Sequence, residues 1–182
     1  NLSSGSSFKG IPYERSSIYA NDTYFYDNST VKFCLSKSND RVYTIYPYEP
    51  LIRVYSIENS SFVLESEFKT KPEHYNYDPK KYKFANANNL DQEQMFIDQQ
   101  YNSPYLTINS SENFVVTEYM PPVKSEDIAK TVSDYNVRMG DIRRRYLQFF
   151  KDGNKLCEDL QLKKEFIGVL DVIGENEIII FG

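Results

Sequence analysis

The chain has 182 residues, 40% of them hydrophobic, which is enough for one compact domain with a substantial core. Its formal net charge of -5, with lysines and arginines scattered along the chain, argues against a nucleic-acid partner, because phosphate binding requires a concentrated basic face. No apolar run approaches the roughly 18 residues of a transmembrane helix, so we do not expect the chain to span a membrane.

The first residues differ in composition from the rest. Segment 1–17 is polar and contains Gly5, Gly10 and Pro12, so we predict an irregular N-terminal segment there and one β-rich domain over 18–182. The sequence starts without Met, which indicates a processed or cut N-terminus. With 16 Tyr, 12 Phe and no Trp, the aromatic residues are types that favour strands, and we predict an all-β fold.

Short strands separated by turn-forming residues follow in chain order. We predict them at 18–20, 23–26, 31–35, 41–46, and in a hairpin over 51–69. Four strands joined by tight turns within so short a stretch indicate one antiparallel sheet.

The hairpin over 51–69 has a second copy over 144–160. At an offset of 92 residues, apolar positions coincide in both strands and the turns fall in register. That offset is twice about 46 residues, and a period of about 40–50 residues is typical of propeller blades. We therefore predict antiparallel four-stranded blades of a β-propeller, either a partial ring or its C-terminal part. A ring would then need a longer protein or self-association through sheet edges.

Segment 70–90 interrupts the strand pattern and is the candidate ligand-binding region. Its aromatic and basic residues could stack on a sugar and bind its charge, so the sequence favours an acidic sugar or a carboxylated peptide as ligand. The alternative is a connector whose tyrosines pack on the sheet. The candidate binding residues are His74, Tyr75, Tyr77, Tyr82 and Lys81, with Lys71, Lys80 and Lys83 nearby.

The second half of the domain contains the predicted helix. Strands are predicted at 95–97, 105–108 and 114–119, and a short inserted helix over 125–139, where apolar residues recur with helical spacing. The run Arg143-Arg144-Arg145 is expected in a strand, as a solvated edge or, alternatively, an anion site. The strands at 166–173 and 177–181 are nearly all apolar, which predicts burial on both faces.

Few residues in the chain suit metal or nucleophile chemistry. Cys34 and Cys157 are expected to be buried free thiols or, alternatively, one disulfide. Because His74 is the single histidine and no metal-ligand motif is present, we predict no metal and no cofactor. Four acidic residues near strand ends could supply a carboxylate pair for glycan hydrolysis, but the favoured interpretation is that they are exposed carboxylates without a catalytic role. They are Asp98, Glu118, Asp159 and Asp171.

Several stretches resemble the later blades of the six-bladed β-propeller lipoproteins of Bacteroidetes. The resemblance is carried by LIRVYS at 51–56, YNSPY at 101–105, YLQFFKDG at 146–153, and the apolar ending from 166 to 181. It implies a cell-envelope protein, periplasmic or anchored to the outer membrane by lipid, with secretion as the alternative. The expected function is a non-enzymatic platform that binds a glycan or peptide, and the alternative is a glycan-directed hydrolase that uses a carboxylate pair.

Overall fold

The computed structural model describes residues 31–77, 102–133, 142–166, 168–173 and 177–181. This part of the chain contains eleven strands and one short helix, which confirms the all-β prediction. The predicted N-terminal segment 1–17 and the predicted strands at 18–20, 23–26 and 95–97 lie outside the described residues.

Sheet A is an antiparallel meander of four strands, as the sequence predicted. Its strands are β1 (Lys32–Leu35), β2 (Arg41–Ile45), β3 (Leu51–Glu58) and β4 (Ser61–Lys69), in that spatial order. Asn59 and Ser60 join β3 to β4 with φ angles of 48° and 63°. Positive φ at both central residues is the geometry that matches the twist of a two-residue hairpin.

Sheet B follows along the chain. It comprises β5 (Tyr105–Ser111), β6 (Phe114–Tyr119), β7 (Tyr146–Lys151) and β8 (Asn154–Lys155), and β9 (Leu160–Gln161) also pairs with β7. Helix α1 (Ser125–Ser133) comes after β6, within the predicted range of 125–139; residues 134–139 of that range lie outside the described part.

The second hairpin is less regular than the sequence repeat predicted. Glu58 pairs with Ser61 at the end of the first hairpin, and Lys151 pairs with Asn154 at the end of the second. The separation between the two turns is therefore one residue longer than the predicted offset of 92. The turn itself is Asp152 and Gly153, both with positive φ, which again suits a two-residue hairpin. The strand after this turn is split into β8 and β9, whereas β4 is continuous.

Sheet C consists of β10 (Gly168–Ile173) and β11 (Glu177–Phe181) in the described part of the chain. The prediction that these strands are buried on both faces was wrong. Ile178 and Ile180 pack towards sheet B, but Ile179 and Phe181 are 38% and 53% exposed. The reason is that, among the described residues, one face of this sheet has a packing partner and the other has none.

The three sheets stack in chain order. One core lies between sheets A and B and includes Ile52 of β3 and Phe150 of β7. A second core lies on the opposite face of sheet B, where Leu147 packs with Val169 of β10. The first strands of the sheets are neighbours: β1 contacts β5, and β5 contacts β10.

The two cysteines are free. Cys34, on β1, donates from its thiol to Ser110 of β5 over 3.2 Å, and Ser110 in turn donates to the carbonyl of Leu35 over 2.9 Å. Cys157 is exposed in the segment between β8 and β9, so the prediction that both thiols are buried was wrong for Cys157. The disulfide alternative is not observed.

Sheet A ends at β4, whose outer edge has no strand partner among the described residues. Val63 and Leu64 on this strand are both substantially exposed. Self-association through sheet edges stays a prediction, since it depends on what covers such an edge.

Candidate functional site

A groove lies at one end of sheet B in the described structure. Tyr119 ends β6 and pairs with Tyr146, which begins β7, and Tyr146 also pairs with Gln161, which ends β9. The segments after β6, before β7 and after β9 therefore meet at this end of the sheet. Together with residues 73–75 they enclose a groove of about 970 Å³.

The side chains that line this groove are strongly basic, and we call it the basic groove. Its cationic residues are Lys124, Arg143, Arg144, Arg145, Lys163 and Lys164. Two carboxylates, Glu73 and Asp127, also line it. The prediction that the arginine run lies in a strand was wrong, because the ladder between β7 and β9 begins at Tyr146 and all three arginines precede it.

Each of the two groove carboxylates is paired with a cation that does not line the groove. Glu73 accepts from Lys155 over 3.1 Å, and Asp127 accepts from Lys130 over 2.9 Å.

Most of the groove cations lack such compensation. Arg145 donates to Glu118 over 3.1 Å. The remaining exposed cations, Lys124, Arg144, Lys163 and Lys164, form no ion pair within the described parts of the chain. The groove therefore carries a local positive charge although the whole chain has a net charge of -5.

Aromatic rings lie beside these cations. The exposed ring of His74 lies 4.7 Å from the ring of Tyr146, measured between centroids. Tyr146 stacks on Tyr119 at 5.6 Å, and Tyr119 packs against Tyr105 at 5.7 Å. Tyr146, Tyr119 and Tyr105 all belong to the core between sheets A and B. The inner side of the His74 ring therefore packs on the core.

No family model, curated protein or solved structure matches this chain.

The segment that carries His74 is fixed by Asp159. The Asp159 carboxylate, whose side chain has no exposed surface, accepts from the backbone N–H of Glu73 at 2.8 Å, from Lys155 at 2.6 Å and from Gln148 at 3.0 Å. Burial raises the pKa of Asp159, but the hydrogen bonds from Lys155 and its other donors outweigh burial and hold the pKa below its ordinary value. One edge of the basic groove is thereby tied to sheet B.

The predicted binding residues divide between the groove, the core and the undescribed part of the chain. His74 and Tyr75 line the groove. The hydroxyl of Tyr75 also donates to the carbonyl of Tyr48 over 2.6 Å, and its ring packs on the core, as the alternative of sheet-packed tyrosines predicted.

Two further predicted residues, Lys71 and Tyr77, do not line the groove. The ring of Tyr77 stacks on Tyr48 at 5.6 Å. Lys71 is exposed, and its carbonyl accepts from Lys155. The other four predicted residues lie outside the described part of the chain: Lys80, Lys81, Tyr82 and Lys83.

The candidate catalytic carboxylates do not form a pair in the described structure. Glu118 and Asp159 interact with opposite faces of sheet B, because Glu118 and the Asp159 partner Tyr119 are adjacent in β6. Asp171 lies on sheet C, where its carboxylate accepts from the N–H of Val172. Asp98 lies outside the described residues.

Two further findings concern metals and membranes. In the described part of the chain, no three His, Cys, Asp or Glu side chains group closely enough to hold a metal ion. Helix α1 is too short and too polar to cross a membrane, and no other described helix could do so.

The groove residues that the sequence analysis did not identify are the lysines. Lys124, Lys163 and Lys164 were not candidates, because they are distant in sequence from segment 70–90. The available signal was the pair of basic runs at 143–145 and 163–164, which the pairing of β7 with β9 brings side by side.

Proposed function

We propose that the protein is a non-enzymatic binding module that recognises an anionic ligand, either an acidic sugar or a carboxylated peptide, in the basic groove. One observation carries this proposal: the groove carboxylates are paired with cations from outside the groove, Lys155 being shared between Glu73 and Asp159, while four groove cations form no ion pair among the described residues. An anion would provide the negative charge that the described residues do not supply there.

The chemistry of the groove suits a carboxylate. Arg144 can donate two parallel hydrogen bonds to one carboxylate, and lysine ammonium groups add charge without demanding one geometry. Half-buried apolar residues lie among the cations, namely Pro121, Pro122 and Phe166. A ligand that packs on them and excludes water would strengthen the charged contacts, since these weaken in a high dielectric.

We extend the proposal to the architecture and the location. Sheets that stack in chain order, with their first strands adjacent, are what successive blades of a β-propeller would produce. In this proposal the propeller is a rigid platform in the cell envelope, periplasmic or anchored to the outer membrane by lipid, with secretion as the alternative. The blade-like stacking supports the platform, and the resemblance of the sequence is the basis for the location.

The alternative of a glycan-directed hydrolase gains no support from the described carboxylates. A glycosidase needs two carboxyl groups roughly 5–9 Å apart across one cleft. Glu118 and Asp159 are directed to opposite faces of a sheet, and both are already bound by cations.

The test is a charge reversal in the groove with a matched control. Lys163→Glu/Lys164→Glu should weaken binding of galacturonate oligomers or a glutamate-rich peptide at least tenfold, measured by calorimetry. Lys37→Glu/Lys69→Glu changes the net charge equally on exposed lysines that do not line the groove, and it should leave binding unchanged. Equal losses in both variants, or no binding of either probe to the native protein, would refute the proposal.

A further inference from the structure

We infer that the basic groove binds an acidic polysaccharide, with two or more carboxylate or sulfate groups along one chain held at separate positions across sheet B. This inference rests on the proposed function and narrows its ligand class.

The cations lie along three neighbouring strand ends rather than around one point. Lys124 follows β6, Arg144 precedes β7, and Lys163 follows β9. These strands are adjacent in the order β6, β7, β9, and neighbouring strands are about 4.8 Å apart, so the ends of β6 and β9 are separated by roughly 10 Å. One carboxylate neutralises a single charge, whereas six cations line the groove. A ligand with several anionic groups along its length therefore matches the groove better than a ligand with one.

Ring side chains also line the groove. Pro121, Pro122 and the ring of Phe166 line the groove together with His74. Such faces suit the C–H faces of sugar rings, whereas an added peptide strand would take its affinity from main-chain hydrogen bonds to a sheet edge. The groove lies beyond the strand ends, where the ladder from β7 to β9 has stopped at Gln161. This geometry favours sugar rings over an extended peptide.

The charge per unit length of the ligand favours a polysaccharide over a nucleic acid in this groove. A nucleic-acid strand carries one charge about every 3.4 Å and would extend beyond the groove over a protein whose net charge is -5. A polyuronate of the same length, with one carboxylate per sugar ring, carries fewer charges, which the groove cations can match. The repulsion from the rest of the surface is correspondingly smaller.

The experiment measures how affinity depends on chain length. Galacturonate monomer, dimer, tetramer and hexamer are titrated into the native protein, with fully methyl-esterified oligomers as the uncharged counterparts. The tetramer should bind at least tenfold more tightly than the monomer, the hexamer should add less than twofold, and the esters should lose at least tenfold. Binding of the acidic oligomers should weaken steadily as salt concentration rises.

Variants at the two ends of the groove test the separation of the charges. Lys124→Gln and Lys163→Gln should each lower tetramer affinity three- to tenfold, and each should reduce the ratio of tetramer to monomer affinity. Lys37→Gln, on an exposed turn of sheet A, should change neither value.

The outcomes distinguish this inference from the proposed function. If the monomer binds as tightly as the tetramer and Lys163→Gln weakens both equally, the proposal that the groove binds an anion is supported and the inference that the ligand is a polysaccharide is refuted. Equal or tighter binding of poly-glutamate or single-stranded DNA also overturns the polysaccharide. If no anion binds and the groove variants behave as the native protein, both proposals fail together.

Discussion

Asp159 accepts a hydrogen bond of 2.5 Å from the hydroxyl of Tyr119. Because the Asp159 side chain has no exposed surface, separating the two residues would break a hydrogen bond between buried groups. Asp159 also holds Lys155 and the backbone of Glu73. Tyr119 itself belongs to the core between sheets A and B. This pair therefore couples the main core to the segment that lines the basic groove.

Replacing Asp159 with Asn should lower the free energy of unfolding by about 2–4 kcal/mol, because it leaves Lys155 without its nearest carboxylate and disrupts a buried hydrogen-bond network. Urea denaturation measures the change. Asp152→Asn is the matched control, since Asp152 is exposed and Asn tolerates its positive φ of 49°. Equal stabilities of the two variants would contradict a structural role for the Asp159 network.

The stability of the native protein should fall in acid because of Asp159. Its pKa is lower in the folded than in the unfolded chain, so its contribution is complete above the unfolded pKa of about 3.9 and is lost as pH falls through the folded pKa. The difference in unfolding free energy between native protein and Asp159→Asn should therefore shrink between pH 5 and pH 2. A difference independent of pH would show that the charge is not involved.

Ionisation of Glu118 should change the stability in the direction opposite to that of Asp159. Burial raises its pKa, with Arg145 opposing that rise, so ionisation of Glu118 costs stability as pH increases from about 4.3 through the folded pKa. Relative to Glu118→Gln, the native protein should lose stability over that interval. Urea denaturation at closely spaced pH values separates the two residues.

Tyr75 should matter for stability as well as for the groove. Tyr75→Ala removes a ring packed on Tyr105 and a hydroxyl bound to Tyr48, and we expect a loss of about 2–4 kcal/mol. Tyr75→Phe removes the hydroxyl alone and should cost about 1 kcal/mol. His74→Ala, on an exposed side chain, is the control and should cost less than either. A melting temperature unchanged by Tyr75→Ala would show that the ring does not pack on the sheet.

The strands of sheets A and B could be predicted because their local signals agree. β-Branched and aromatic residues predominate in β2 and β6, and turn formers such as Asp152 and Gly153 mark the hairpin ends. The burial of β11 could not be predicted, since an apolar sequence does not report how many faces have neighbours. The bounds of β7 were wrong because pairing with β9, a long-range property, decides where the ladder begins.

The candidate site was predictable only in part. His74 was identified from its local surroundings and does line the basic groove. The groove itself depends on three segments that are far apart in sequence, and it forms because Tyr119, Tyr146 and Gln161 lie side by side at one end of sheet B. The sequence shows that Arg144 and Lys163 lie in basic runs, but it does not show that the two runs are neighbours in the folded chain.

The two thiols should differ in reactivity. Burial raises the pKa of the Cys34 thiol to about 12, and the thiolate is the reactive form, whereas Cys157 is exposed. At pH 8 an aromatic disulfide reagent should modify one thiol rapidly in the folded protein and two after unfolding. Cys157→Ser should remove the rapid phase. Two rapid thiols in the folded protein would contradict the packing of Cys34 against β5.

Glu118→Gln should tighten the binding of galacturonate tetramer about two- to fivefold at low salt. The carboxylate of Glu118 lies 3.1 Å from Arg145, and its negative charge offsets part of the positive potential that an anion meets in the groove. The amide keeps the shape of the side chain but removes that charge, so the gain should vanish at high salt. Glu177→Gln, an exposed change on sheet C, is the control for net charge and should have no effect. Weaker binding by Glu118→Gln would instead show that the carboxylate is needed to hold the Arg145 guanidinium in its binding position, because the loss of orientation would then outweigh the gain in charge.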